Sequence, residues 1–128
     1  MGSSECAHNE SMDWVRQPLG LALWWVLPIL IGISVSFLGL LPVYATFVWA
    51  GMFAWMGTGC LLNARRCGRL HCYISAPVLF LGAVASTLTA IGWKPLGPHT
   101  SSYVINGSLA LALLTFLVEP IWGKYRMR

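Results

Sequence analysis

Charged side chains are scarce in this sequence. Only 9% of its 128 residues are Asp, Glu, Lys or Arg, whereas 57% are hydrophobic, and the mean hydropathy is +0.69. A chain of this length cannot hide so much apolar surface in one soluble core. The composition therefore excludes a soluble domain and predicts a membrane protein.

Basic residues are absent from most of the chain. Six of the eight Lys and Arg fall in two groups, residues 65–69 and the tail 124–128, and the other two are Arg16 and Lys94. Nucleic-acid binding needs a basic face on a folded polar domain, which this pattern excludes. Acidic residues outnumber Arg16 before the first apolar run, so we expect no cleaved secretory signal.

Four apolar segments are each long enough to cross a hydrocarbon core of about 30 Å. They predict an all-α membrane protein with four transmembrane helices, arranged as two antiparallel hairpins. A polar N-terminal tail (1–17) precedes this transmembrane domain (18–123), and a basic C-terminal tail (124–128) follows it. The predicted spans are about 19–41, 44–62, 74–92 and 104–122.

Four spans would place both termini and the loop 63–73 on one side of the membrane. That side holds seven of the eight Lys and Arg, and the positive-inside rule makes it cytoplasmic. We therefore expect a multi-pass protein of the inner (plasma) membrane with cytoplasmic termini.

Two local patterns bear on helix packing. Pro28 lies inside the first span, where it removes a backbone hydrogen bond and should kink the helix. Small residues recur along the second span and predict a strip that another helix can approach closely. They are Ala50, Gly51, Ala54, Gly57 and Gly59.

Thiols and an imidazole gather around the basic loop. Cys67, His71 and Cys72 lie within it, and Cys60 precedes Cys67 by seven residues, or two turns of a continuing helix. Thiolate and imidazole select soft or borderline ions such as zinc, copper or mercury. The sequence thus predicts a metal site of Cys60, Cys67, His71 and Cys72. Positive charge favours the thiolate form, and it is supplied by Arg65, Arg66 and Arg69.

Other interpretations of these cysteines stay open. The chain lacks both a Cys-x-x-Cys and a His pair, so its spacing matches no standard zinc pattern. Cys60 alone fits a small packed residue, and the loop thiols fit ordinary reduced cysteines. Cys6 and His8 fit an unstructured terminus better than a ligand pair.

Thiol redox catalysis is a weaker alternative to metal binding. No hydrolytic or phosphoryl-transfer site is recognisable, so we expect no enzyme.

Glu119 stands in the predicted fourth span, near its end. An acid in or near hydrocarbon is costly, which makes it a functional candidate by default. It could couple the protein to a proton or cation. A structural salt bridge to Arg65, Arg66 or Arg69 is the interpretation we favour.

The run 63–73, followed by Ser75, Ala76 and Pro77, resembles a loop in small uncharacterised bacterial inner-membrane proteins. That resemblance implies a location and no activity. At class level the chain is also similar to small cysteine-bearing membrane proteins that import mercuric ion. Those proteins carry a cysteine pair in the first span, where this chain has none.

These observations lead to two hypotheses of function. In the first, the protein binds a soft metal ion through its cytoplasmic Cys/His loop for transport or delivery. In the second, it is a non-catalytic accessory or assembly subunit of a larger membrane complex. Expected partners are the lipid bilayer and either further copies of the chain or other membrane subunits, with no nucleic acid.

Overall fold

The computed structural model describes residues 13–39, 41–118 and 121, and every regular element in these ranges is helical. We number the helices in chain order. Helix α1 is Pro18–Phe37, α2 is Pro42–Cys67, α3 is Leu70–Ala90, and α4 is Thr100–Leu114, which a short 3-10 turn, Thr115–Val118, extends.

The four helices are each long and apolar enough to cross a membrane. Large apolar side chains cover the outside of the bundle, including Leu19 at 81% exposure, Phe37 at 86% and Leu81 at 69%. Water would not tolerate an apolar surface of this extent, whereas lipid does. The prediction of four helices that can span a membrane is therefore confirmed.

The core lies between α2 and α3. About two fifths of the apolar stretch of each of these helices is buried, 44% and 39%, against 11% for α1 and for α4. Phe53 of α2 and Leu79 of α3 are almost completely enclosed. The first helix packs mainly on α2 and the last mainly on α3, so each helix meets chiefly its neighbours in sequence.

The predicted loop 63–73 is much shorter than expected. Helix α2 continues to Cys67 and α3 begins at Leu70, so only Gly68 and Arg69 connect them. Gly68 has a left-handed φ of 71°, and its N–H donates to the Ala64 carbonyl at 2.9 Å. A glycine in this conformation ends a helix abruptly, because a side chain there would be strained. The cysteines and histidine predicted on a loop therefore lie in helical ends.

A π-helical turn precedes Pro28, the residue at which a kink was predicted. Residues Ala22–Val26 form wider turns, and α-helical geometry resumes at Leu27. Proline cannot donate to the carbonyl four residues earlier and its ring crowds that carbonyl, so the preceding turn is the natural place for such a change.

The small residues of α2 differ in how closely neighbouring side chains approach them. A Cβ at Gly59 would lie 2.7 Å from the Trp24 ring, and one at Gly57 would lie 3.3 Å from Phe80. A Cβ at Gly51 would meet nothing within 4 Å. Close approach to neighbouring helices thus depends on Gly57 and Gly59.

We predict that Gly59→Ala destabilises the bundle by about 1–3 kcal/mol, because the new methyl group must displace the Trp24 ring. The matched control is Gly51→Ala in the same helix, which should be neutral or slightly stabilising through helix propensity. Unfolding in mixed detergent micelles measures both variants. Equal stability of the two would contradict the packing described for Gly59.

Candidate functional site

A buried ion pair stands where the chain enters α1. Asp13 is fully buried and pairs with the Nη1 atom of Arg69, whose side chain is 10% exposed. The same carboxylate accepts a hydrogen bond from the Val15 N–H at 3.0 Å and one from Asn63 Nδ2 at 2.9 Å. A buried carboxylate is tolerated only with such partners, so these contacts fix the position of residue 13.

Within the predicted polar tail 1–17, residues 13–15 pack against the bundle, whereas Arg16 and Gln17 are exposed. The Trp14 N–H donates to Asn63 Oδ1 at 2.9 Å, and its indole stacks on Trp24 with ring centroids 5.4 Å apart. The guanidinium of Arg66 lies 4.5 Å above the Trp14 ring. This segment packs against the bundle because Asn63 and Arg69 bind its polar groups. Cys6 and His8 lie outside the described residues.

His71 continues the polar network from Arg69. Arg69 Nε donates to His71 Nδ1 at 3.1 Å, and His71 is fully buried with its ring stacked on Phe116 at 4.1 Å. Arginine has no acceptor, so Nδ1 must present its lone pair. The hydrogen-bond network thus assigns the proton of a neutral imidazole to Nε2. That atom lies 3.4 Å from Cys72 Sγ.

Two thiols meet at the interface of α2 and α3. The side chains of Cys60 and Cys72 lie near each other in one buried cluster, at 1% and 0% exposure. The Nδ2 atom of Asn63 lies 3.5 Å from Cys72 Sγ. The cysteines at 60, 67 and 72 are all free thiols. The structure therefore joins Cys60, His71 and Cys72.

Cys67 faces a different partner. Its Sγ donates to the Asn63 carbonyl at 3.0 Å, a bond back to its own helix. It is buried at 2% exposure, near the end of α2. Its thiol is thus engaged by backbone, whereas the other two thiols engage each other.

The described residues contain no group of three His, Cys, Asp or Glu side chains placed to hold a metal ion. The hydrogen bonds give one reason for this. While His71 Nδ1 accepts from Arg69, its Nε2 carries a proton and has no lone pair for a metal. The donors that remain together are the two thiols of Cys60 and Cys72.

The arginines of the predicted loop have separate positions. Arg65 and Arg66 are exposed in the last turn of α2, where positive charge favours a helix C-terminus. Arg69 pairs with Asp13. The predicted partner, Glu119, lies outside the described residues.

Sequence reasoning missed Asp13 and Asn63. Both side chains are polar and completely buried. Their hydrogen bonds connect the segment before α1 to the Cys72 thiol. The available signal was Asn63 itself, an amide near the end of an apolar segment. Its partner stands 50 residues away in sequence, so no local pattern pairs them.

We predict that Asp13→Asn lowers the free energy of unfolding by about 3–5 kcal/mol, because it removes the carboxylate charge that is paired with Arg69 in a buried position. Arg66→Gln is the control, since it removes only an exposed cation–π contact and should cost much less. Detergent-micelle unfolding compares the two. A loss for Asp13→Asn no larger than that for Arg66→Gln would argue against the buried pair.

Comparison with known protein families, characterised proteins and solved structures finds no match to this chain. The chemistry of the site therefore has to be argued from its own atoms. These are two neighbouring buried thiols, an imidazole N–H beside one of them, and a buried ion pair whose arginine orients the imidazole.

Proposed function

We propose that this protein binds a soft metal ion between the thiolates of Cys60 and Cys72, for transport or delivery at the membrane. The observation that carries the proposal is the juxtaposition of these two buried thiols in one cluster between α2 and α3, with the His71 imidazole 3.4 Å from the Cys72 sulfur. Both thiols lose their protons on binding. Affinity should therefore rise with pH.

Two ligands suffice only for certain ions. Zinc takes four ligands in structural sites, and here two thiols stand together while His71 is engaged through Nδ1. Copper(I) and mercury(II) bind two thiolates in a linear arrangement and prefer soft sulfur ligands. The donor set therefore favours these ions over zinc.

Net charge also suits such ions in an apolar setting. Mercury(II) with two thiolates forms a neutral complex, which is the least costly kind to bury. Copper(I) with two thiolates carries one negative charge. The Nε2–H of His71 can donate to Cys72 sulfur and so stabilise that charge. In this role His71 positions and polarises a ligand without being one.

We place the protein in the inner membrane as two antiparallel helical hairpins, with both termini and the thiol pair on the cytoplasmic side. Support comes from the three arginines at the α2–α3 turn, against Lys94 alone in the α3–α4 connection. In the reducing cytoplasm the thiols would stay available for metal.

The test is a competition titration of copper(I) or mercury(II) with the reduced protein in mild detergent. In a Cys6→Ser background we expect one ion per chain, and at least about 100-fold weaker binding for Cys60→Ser or Cys72→Ser. Cys67→Ser is the matched control and should change affinity less than about threefold, since its thiol bonds to its own helix. Binding that depends equally on Cys67, or that survives loss of both Cys60 and Cys72, would refute the proposed pair.

X-ray absorption on the copper(I) form gives a second prediction. We expect two sulfur neighbours and no imidazole nitrogen, because Arg69 holds His71 Nδ1 as an acceptor. The Arg69→Gln variant should relax this constraint. A nitrogen neighbour in the wild-type protein would show that His71 turns to the metal and would contradict the positioning role.

A further inference from the structure

Asn106 is a polar side chain on the lipid-facing side of a membrane helix. It is the seventh residue of α4, roughly 9 Å along the helix from Thr100. It is exposed, and it makes no side-chain hydrogen bond within the ranges that the structure describes. An amide in this position meets hydrocarbon in the single chain.

Three other exposed polar residues in the spans avoid this problem. The hydroxyls of Thr58 and Thr87 each donate to the carbonyl four residues earlier, at 2.8 and 2.9 Å. Ser36 does the same at 2.9 Å. These side chains satisfy themselves within their own helix. Asn106 does not, so its amide is left for a partner outside the chain.

The surface around Asn106 allows a helix to come close. Ser102 and Ala110 lie one turn before and one turn after it on the same face, and both are small and exposed. Leu113 continues this face at 65% exposure. Small residues that flank a polar one are typical of interfaces between membrane helices, where close approach and an interhelical hydrogen bond replace the hydrophobic effect.

We propose that two copies of this chain associate through the face of Ser102, Asn106, Ala110 and Leu113, with the two Asn106 amides hydrogen-bonded to each other. The amide is self-complementary because it carries both a donor and an acceptor. Copies inserted in the same orientation and related by a two-fold axis along the membrane normal bring Asn106 level with itself. A second copy therefore satisfies the group without any other polar partner. This inference depends on the membrane spans and not on the proposed metal site.

The first test measures energy transfer between donor- and acceptor-labelled full-length chains in phosphatidylcholine vesicles, over a range of protein-to-lipid ratios. We expect concentration-dependent dimers for the wild type and about 5- to 30-fold weaker association for Asn106→Leu. Asn106→Gln keeps the amide and should stay within about threefold of the wild type. The control Leu111→Ala alters another exposed position, roughly 140° around the helix, and should leave association unchanged.

A cross-linking test locates the face independently of affinity. Ala110→Cys should form an intermolecular disulfide on oxidation in the same vesicles, whereas Leu30→Cys, on the exposed side of α1, should not exceed the wild-type background. A wild type that stays monomeric at every ratio would overturn the proposal. So would association unaffected by Asn106→Leu, or cross-linking at residue 30 in place of residue 110.

Discussion

The ion pair of Asp13 and Arg69 is the interaction on which the polar end of this structure depends. Charges removed from water are tolerated only when they are paired and their remaining hydrogen-bonding groups are satisfied. Here the carboxylate accepts from Arg69, from Asn63 and from a backbone N–H. These bonds join the segment before α1 to helix α2 and to the α2–α3 turn.

The same pair determines the chemistry next to it. Arg69 donates both to Asp13 and to His71 Nδ1, and the second bond places the imidazole proton on Nε2, which lies 3.4 Å from Cys72 Sγ. The geometry of the thiols therefore depends on a carboxylate that touches neither of them. A hydrogen-bond network of this kind makes the end of the bundle rigid and also orients the side chains of the candidate metal site.

Hydropathy alone predicted the four spans correctly, because length and apolar content determine what can cross a bilayer. Span ends were less accurate. The predicted basic loop is only two residues long, Gly68 and Arg69, because residues 63–67 continue α2 until a left-handed glycine ends it. Hydropathy cannot distinguish a polar helical turn from a loop.

The candidate site was only partly readable from the sequence. The grouping of thiols and histidine was visible, but the contact of Cys60 with Cys72 arises from packing of α2 on α3. The engagement of Cys67 by its own helix and the tautomer of His71 each depend on a partner atom. Asp13 and Asn63 were missed because their partnership spans 50 residues of sequence.

The separation of Asp13 from Arg69 by 56 residues bears on how the protein is made. Chains emerge from the ribosome N-terminus first, so Asp13 and α1 are synthesised before their basic partner exists. The ion pair can therefore form only after the α2–α3 turn has been synthesised. The polar end of the bundle thus reaches its final set of bonds later in synthesis than α1 itself.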